Sequence, residues 1–216
     1  MKKRGAVTFV FDDGYEHIFR DIVPLLDGHQ FPAVFAVPLH GNIVEQTENY
    51  PTTSWQDWKQ LVQKRHEIAA HSITHRNLTS LTDAELVAEL LEPAAALQAT
   101  TLIYPGGAWD ARVRELAAHH YQAARTVEHG FETLPPGNRY QLKTYNFTKK
   151  NFSVWKANLL VLWAWITGRW LIETYHIVTD EPTTALHAVS KKDFARHLAF
   201  VKRLPISVRT IRDTVV

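Results

Sequence analysis

Between Ala6 and Val208 the sequence alternates short β-rich apolar runs with stretches of helical periodicity, and nothing else in it constrains the fold as strongly. The runs Ala6–Phe11, Ala33–Val37, Glu67–Ala70, Thr101–Tyr104, Ala123–Val127, Gln141–Phe147 and Leu171–His176 read as strands, with Ile206–Val208 as a short closing one. The helix signals between them are specific. Ser54 followed by Asp57 marks an N-terminus that opens onto Trp58, Leu61 and Val62 on one face. Thr82 and Glu85 form a capping box, and Leu81 and Leu86 have hydrophobic-staple spacing. Pro93 is expected to end or kink that helix. A rhythm of this kind builds parallel βα units. About seven strands in 216 residues predict an α/β fold, a distorted or incomplete (β/α) barrel, as one domain over residues 1–216.

Composition supports one core and removes several function classes. Hydrophobic residues make up 45% of the chain, enough for a single sizeable interior. The net charge of +2 is dispersed without a basic tract, so nucleic acid is not an expected partner. With no cysteine, disulfides, thiolate metal sites and a cysteine nucleophile are excluded. "MKKRG" leads into a short strand-like run and then two aspartates, so no signal peptide is read. The segment "WKANLLVLWAWITGRW" is broken by Lys156, Asn158, Gly168 and Arg169 and is too short to span a bilayer. A soluble, cytoplasmic chain is expected.

In βα barrels the chemistry sits at the C-terminal ends of the strands. Asp12 and Asp13 follow the first predicted strand, His71 and His75 the third and "YPGG" the fourth, while His176 ends the last long one. Two adjacent carboxylates repel each other, and a bound cation relieves that repulsion. "HSITH" on a helical turn would chelate one metal through i,i+4 geometry. Among 12 histidines such a pair also arises by chance. An aspartate arriving from another strand end completes a three-ligand set with positions left open, and frees its neighbour for proton chemistry. Taken alone, an Asp-Asp-Gly turn reads first as a solvated loop.

In this order, TFVFDDGY, HSITH, YPGG and a strand ending in histidine resemble the polysaccharide deacetylases, the NodB-homology enzymes of carbohydrate esterase family 4, from about Val7 to Val208. "KRHEIAAHSITHRNL" and "ELAAHHYQAARTVEHG" are similar to linking segments of one branch of that family. The resemblance implies that Asp13, His71 and His75 hold a divalent metal, zinc by default, with cobalt, nickel or iron able to serve in the same geometry. It implies Asp12 as the general base, His176 as the general acid, and the backbone N–H of Gly106 beside the developing oxyanion. The implied activity is removal of N-acetyl groups, at a linear C–N amide bond, from a small, oligomeric or lipid-linked amino sugar. A deformylase, an O-acetyl esterase or a cyclic-amide hydrolase would keep the same fold and metal. A catalytically silent carbohydrate-binding protein is the alternative from another class.

The sequence also departs from the family pattern. Many members carry an arginine two residues before the third-motif proline, orienting the base; here Ile103 stands there, and Gly106 replaces the usual tyrosine. Arg125 is the candidate to supply the missing guanidinium. The family's Asp-Trp motif has no match, with Arg139 or Lys143 as stand-ins. Tyr104 and Trp109 are candidates to line a sugar groove. Trp155, Trp163 and Trp165 follow helical spacing with Leu159, Leu162 and Ile166, which reads as core packing, and Trp55 and Trp58 begin a helix packed on the barrel. The remaining histidines, including His17, His40, His66, His119, His120 and His129, read mostly as surface or loop residues.

Overall fold

The computed structural model describes residues 5–61 and 65–215. Val62, assigned above to a helix face, lies outside them, as do residues 1–4. The strands are β1 (Ala6–Phe11), β2 (Val34–Val37), β3 (Glu67–Ala70), β4 (Thr101–Ile103), β5 (Ala123–His129), β6 (Leu142–Asn146), β7 (Trp170–Tyr175), β8 (Ile177–Val178), β9 (Ala188–Val189) and β10 (Ser207–Val208). The helices are α1 (Val23–His29), α2 (Asn42–Glu48), α3 (Trp55–Lys59), α4 (Asp83–Leu97), α5 (Ala111–His120), α6 (Val154–Thr167), α7 (Lys191–Lys202) and α8 (Arg212–Val215).

Strands β1 to β7 run parallel in sequence order, and β1 pairs with β7 along all six residues, which closes a seven-stranded barrel. The distortion lies on the other edge of β1. There β2 pairs only at Val10 and Phe11, while β10 fills the N-terminal half at Ala6 and Val7. Strand pleat sorts the side chains into two sets. Phe9 and Phe11 of β1 point outward, against Phe31, Phe35 and Phe194. The lumen holds a smaller cluster that includes Ala6, Val10, Val34, Ala36, Ala69, Ile103 and Ile172, with Ile211 and Val215 alongside.

Local signals decide the helix ends. The Ser54 hydroxyl accepts from Asp57 N–H, and Thr82 and Glu85 form the full reciprocal capping box. One expectation is narrowed here and one is corrected. Pro93 does not end its helix, because α4 continues to Leu97. Leu86, Leu90, Pro93 and Leu97 share its buried face, and that tertiary packing outweighs the cost of an interior proline, about 3 kcal/mol. Of the three α6 tryptophans read as core, only Trp165 packs against the core; Trp155 is 73% and Trp163 57% exposed. Ala157, Val161 and Ala164 supply the buried face of α6 instead. Trp58 is fully buried, with Trp55 half-buried beside it.

Candidate active site

The pleat that fills the lumen also aims the site. Lumen positions Ala6 and Val10 of β1 are followed, at the same parity, by Asp12. Ala69 of β3 leads to His71, Ala123 of β5 to Arg125, and Trp170 and Ile172 of β7 to His176. Four polar side chains from four strands therefore converge at the C-terminal mouth. They border a cavity of about 420 Å³, to which His75, Tyr104 and Gly106 also contribute.

Asp13, His71 and His75 are the one group among the described residues whose ligand atoms cluster tightly enough for a metal. Asp13 Oδ1 lies 3.4 Å from His71 Nε2 and 3.3 Å from His75 Nε2. Buried and without a hydrogen bond of its own, it faces both nitrogens. For ~2.05 Å bonds the edge of a coordination tetrahedron is about 3.3 Å, so the three atoms are spaced as ligands of one ion. The His71 tautomer agrees. Its Nδ1 stands 2.7 Å from the carbonyl of Ile103, which can only accept, so Nε2 keeps its lone pair. For Asp13, burial raises the pKa, but the neighbouring imidazoles of His71, His176 and His75 outweigh it and hold the carboxyl well below its usual range. Burial, helped by the charge of His71, pushes His75 down to about 4, so it is neutral at physiological pH. The donor set fits a divalent metal.

The backbone carrying these ligands is not the helical turn expected for "HSITH". Residues 71–75 form a loop after β3, with Ser72 (φ 65°) and His75 (φ 61°) left-handed. The reason is on α4. The buried carboxylate of Glu89 accepts from the N–H of Ile73 (2.7 Å), the N–H of Thr74 (3.0 Å) and the hydroxyl of Thr74 (2.5 Å). Ser72 Oγ accepts from His75 N–H at 2.9 Å, which closes the loop. Those bonds take the donors that a helix would have used. Sequence reasoning passed over Glu89, because a glutamate inside a helical pattern reads as solvent-facing.

Asp12 is only 4% exposed, and Arg125 is fully buried. Arg125 Nη2 donates to Asp12 Oδ2 at 2.5 Å, which leaves Asp12 Oδ1 without a partner. His176 Nε2 is 3.7 Å from the same Oδ2. The His176 ring stacks on His187 at 4.7 Å, and His187 Nδ1 is 3.1 Å from Glu48. Burial lowers the pKa of His176, against the pull of Asp13 and Asp12. His187 carried no functional reading. It reaches the site because β8 follows His176 directly and pairs with β9, a two-residue ladder too short to leave a sequence signal.

Gly106 N–H makes no hydrogen bond among the described residues, and its residue is left-handed (φ 59°) at the cavity wall. Gly107 must stay glycine, since a Cβ there would overlap the Val127 side chain. Tyr104 lines the cavity. Trp109 is not among the lining residues and packs half-buried against the core. Arg139 and Lys143 are exposed and lie outside the lining as well. Tyr15, fully buried, does line it, with its hydroxyl unpartnered. Two histidines read as surface or loop are buried instead. His17 accepts from Val178 N–H, and His66 sits between Ala33 N–H and Asp27.

The family model described as "Polysaccharide deacetylase" matches residues 1–124, more than half of the chain. The chain belongs to the polysaccharide deacetylase family. No curated protein matches it in sequence. Among solved structures it is similar to a Mycobacterium smegmatis protein assigned to the polysaccharide deacetylases, at a TM-score of 0.69 and 14% identity, over 100% of this chain and 90% of that one. It is also similar to the carbohydrate esterase family 4 domain of a multidomain xylanase from the hindgut metagenome of Trinervitermes trinervoides (0.64, 13%, 98% and 89%). A family 4 pseudoenzyme from Bacillus anthracis is alike as well (0.64, 15%, 100% and 69%). At such identities the likeness carries the fold, a NodB-type barrel. Ile103, which the sequence comparison above sets against the family's arginine, pairs in register with Arg125 on the next strand. The guanidinium reaches Asp12 from one strand over, at the same height in the barrel.

Proposed function

We propose that this member of the polysaccharide deacetylase family is a metal-dependent hydrolase, its residues 1–216 acting as one catalytic domain, that removes N-acetyl groups from an amino sugar or an oligo- or polysaccharide. The observation that carries the reading is the pair of adjacent carboxylates with divided duties. Asp13 Oδ1 is spaced for a metal with His71 and His75, while Asp12 keeps a free oxygen and is pinned through the other by Arg125.

Asp13, His71 and His75 hold the ion, for which zinc is the first candidate and cobalt, nickel or iron fit the same donors. When bound, it supplies Lewis acidity that acidifies water and polarises the amide carbonyl. The protein does the rest. Asp12 Oδ1 takes a proton from the attacking water, and Arg125 holds that carboxylate in place. Gly106 N–H donates to the oxygen on which negative charge develops. His176, 3.7 Å from Asp12, delivers a proton to the departing amine nitrogen. Its lowered pKa makes the protonated ring a stronger acid. Water adds across the C–N bond, the acetyl carbon gains the oxygen, and the sugar leaves as a free amine.

The test is acetate release from a panel of N-acetylated sugars and oligosaccharides, with N-formyl and O-acetyl compounds alongside, before chelation, after it, and after zinc or cobalt is restored. Acetate release that vanishes and returns with metal is the expected result. Release unaffected by complete metal removal contradicts the reading, and turnover of only the formyl or O-acetyl compounds reassigns the acyl group.

A further inference from the structure

The outer face of α6 has no partner in the fold. Trp155, Leu159, Trp163 and Ile166 follow one another at spacings of four, four and three, so they line one side of the helix. Their exposures are 73%, 43%, 57% and 65%. Trp155, Ile166 and Trp163 are the three most exposed large apolar side chains among the described residues. Scattered exposed apolar residues need no explanation, but a contiguous stripe containing two tryptophans does.

Along the chain the charges flanking α6 are one-sided, with Glu132, beside Lys143 and Arg169, the last carboxylate before it. From Thr133 to Ile172 the sequence has no Asp or Glu and six cations: Arg139, Lys143, Lys149, Lys150, Lys156 and Arg169. Lys149 and Lys150 precede α6, Lys156 stands in its first turn, and Arg169 follows its last. Tryptophan rings settle at the headgroup level of a bilayer, and lysine and arginine near a surface are drawn to anionic lipids.

We infer that this face docks on the surface of an anionic lipid bilayer. With 14 residues, α6 is shorter than the ~20 needed to cross a membrane, so it lies in the interface. A second copy of the chain fits less well. A two-fold contact would set the same cations against each other, with no carboxylate in this stretch to pair with them. Docking is separate from the hydrolysis proposed above and is read by vesicle binding.

The experiment is co-sedimentation of the full chain with phosphatidylcholine vesicles and with phosphatidylcholine–phosphatidylglycerol vesicles, at low and high salt, alongside tryptophan emission. Binding to the anionic vesicles at low salt with a blue-shifted emission is expected, at least about tenfold weaker on neutral vesicles. Trp155→Ser with Trp163→Ser weakens it by at least about tenfold while melting temperature and turnover of a soluble substrate stay unchanged. Lys150→Glu with Arg169→Glu, which leaves the apolar stripe intact, reduces binding to the anionic vesicles selectively. The inference is overturned if the chain stays in the supernatant with anionic vesicles at low salt, or if the variants bind as the parent does. It is equally overturned if sedimentation velocity shows a dimer that the tryptophan variant converts to monomer, because a second copy then covers the face.

Discussion

Asp13, His71 and His75 come from two loops within the first 75 residues, whereas Asp12, Arg125 and His176 come from three strands and their ends, spread across most of the chain. The two halves of the site are also held by different forces. The metal half is fixed through its backbone. Of the seven described non-glycine residues with positive φ, three are Asp13, Ser72 and His75. Each such residue costs on the order of 1–3 kcal/mol and persists only where its surroundings impose it. Here Glu89, Ser72 Oγ and the bond from Trp58 Nε1 to Gly14 O do so. The acid–base half sits on strand β5 and just past the ends of β1 and β7, and is held by side-chain charge, through Arg125 on Asp12. A loop can be strained to meet an ion of fixed geometry. A base needs a counter-charge and room, which the lumen provides.

This contrast can be broken first at the metal half. His71→Ala removes a ligand and is expected to abolish metal retention and lower kcat/KM by roughly 10³-fold or more, beyond the 10- to 100-fold typical of supporting residues. Metal content measured beside acetate release checks it. In the other half, Arg125→Met is expected to lower kcat/KM by roughly 10- to 100-fold with metal still bound. Adding Ile103→Arg to that variant restores much of the loss, because the two positions pair in register. An Arg125→Met protein with full activity would remove the arginine from the account.

Glu89 gives a smaller and more diagnostic effect. Glu89→Gln keeps the shape but cannot satisfy three donors, so metal affinity should fall about tenfold and stability by about 1–3 kcal/mol, by calorimetry. The exposed Glu92→Gln serves as control. A stability effect without consequence for activity lies outside both halves. Burial pushes His17 down to about 4 from 6.5, so only the unfolded chain takes up its proton between those values. Stability is therefore full above pH 6.5 and is lost as pH falls toward 4, by roughly 3 kcal/mol at most. His17→Gln, which keeps an acceptor for Val178 N–H, should flatten the part of the melting temperature–pH curve that His17 contributes.

The same contrast explains what the sequence disclosed. Asp13, His71 and His75 could be named because each of the two motifs that carry them is contiguous in the chain and resembles the family's, and the family match ends at residue 124, just short of Arg125. The barrel was legible because strand runs and caps are local too. Arg125 could be named as a candidate but not placed, since its contact with Asp12 spans 113 residues and depends on register. Glu89 was missed because helical periodicity hides an inward carboxylate, and the "HSITH" loop was misread as helical for want of Glu89. Trp155 and Trp163 were misassigned because periodicity identifies a face of a helix without saying which face meets the barrel. His187 depends on the β8–β9 pairing, which leaves no pattern in the chain.

The division of labour between the two aspartates is the central claim, and Asp12→Asn tests it most directly. Metal stoichiometry and acetate release should be measured on the variant and the parent together. The account predicts equal metal content, with release reduced by about 10²- to 10⁴-fold, the range for loss of a general base. Loss of the metal in Asp12→Asn, or release equal to the parent's, would contradict it.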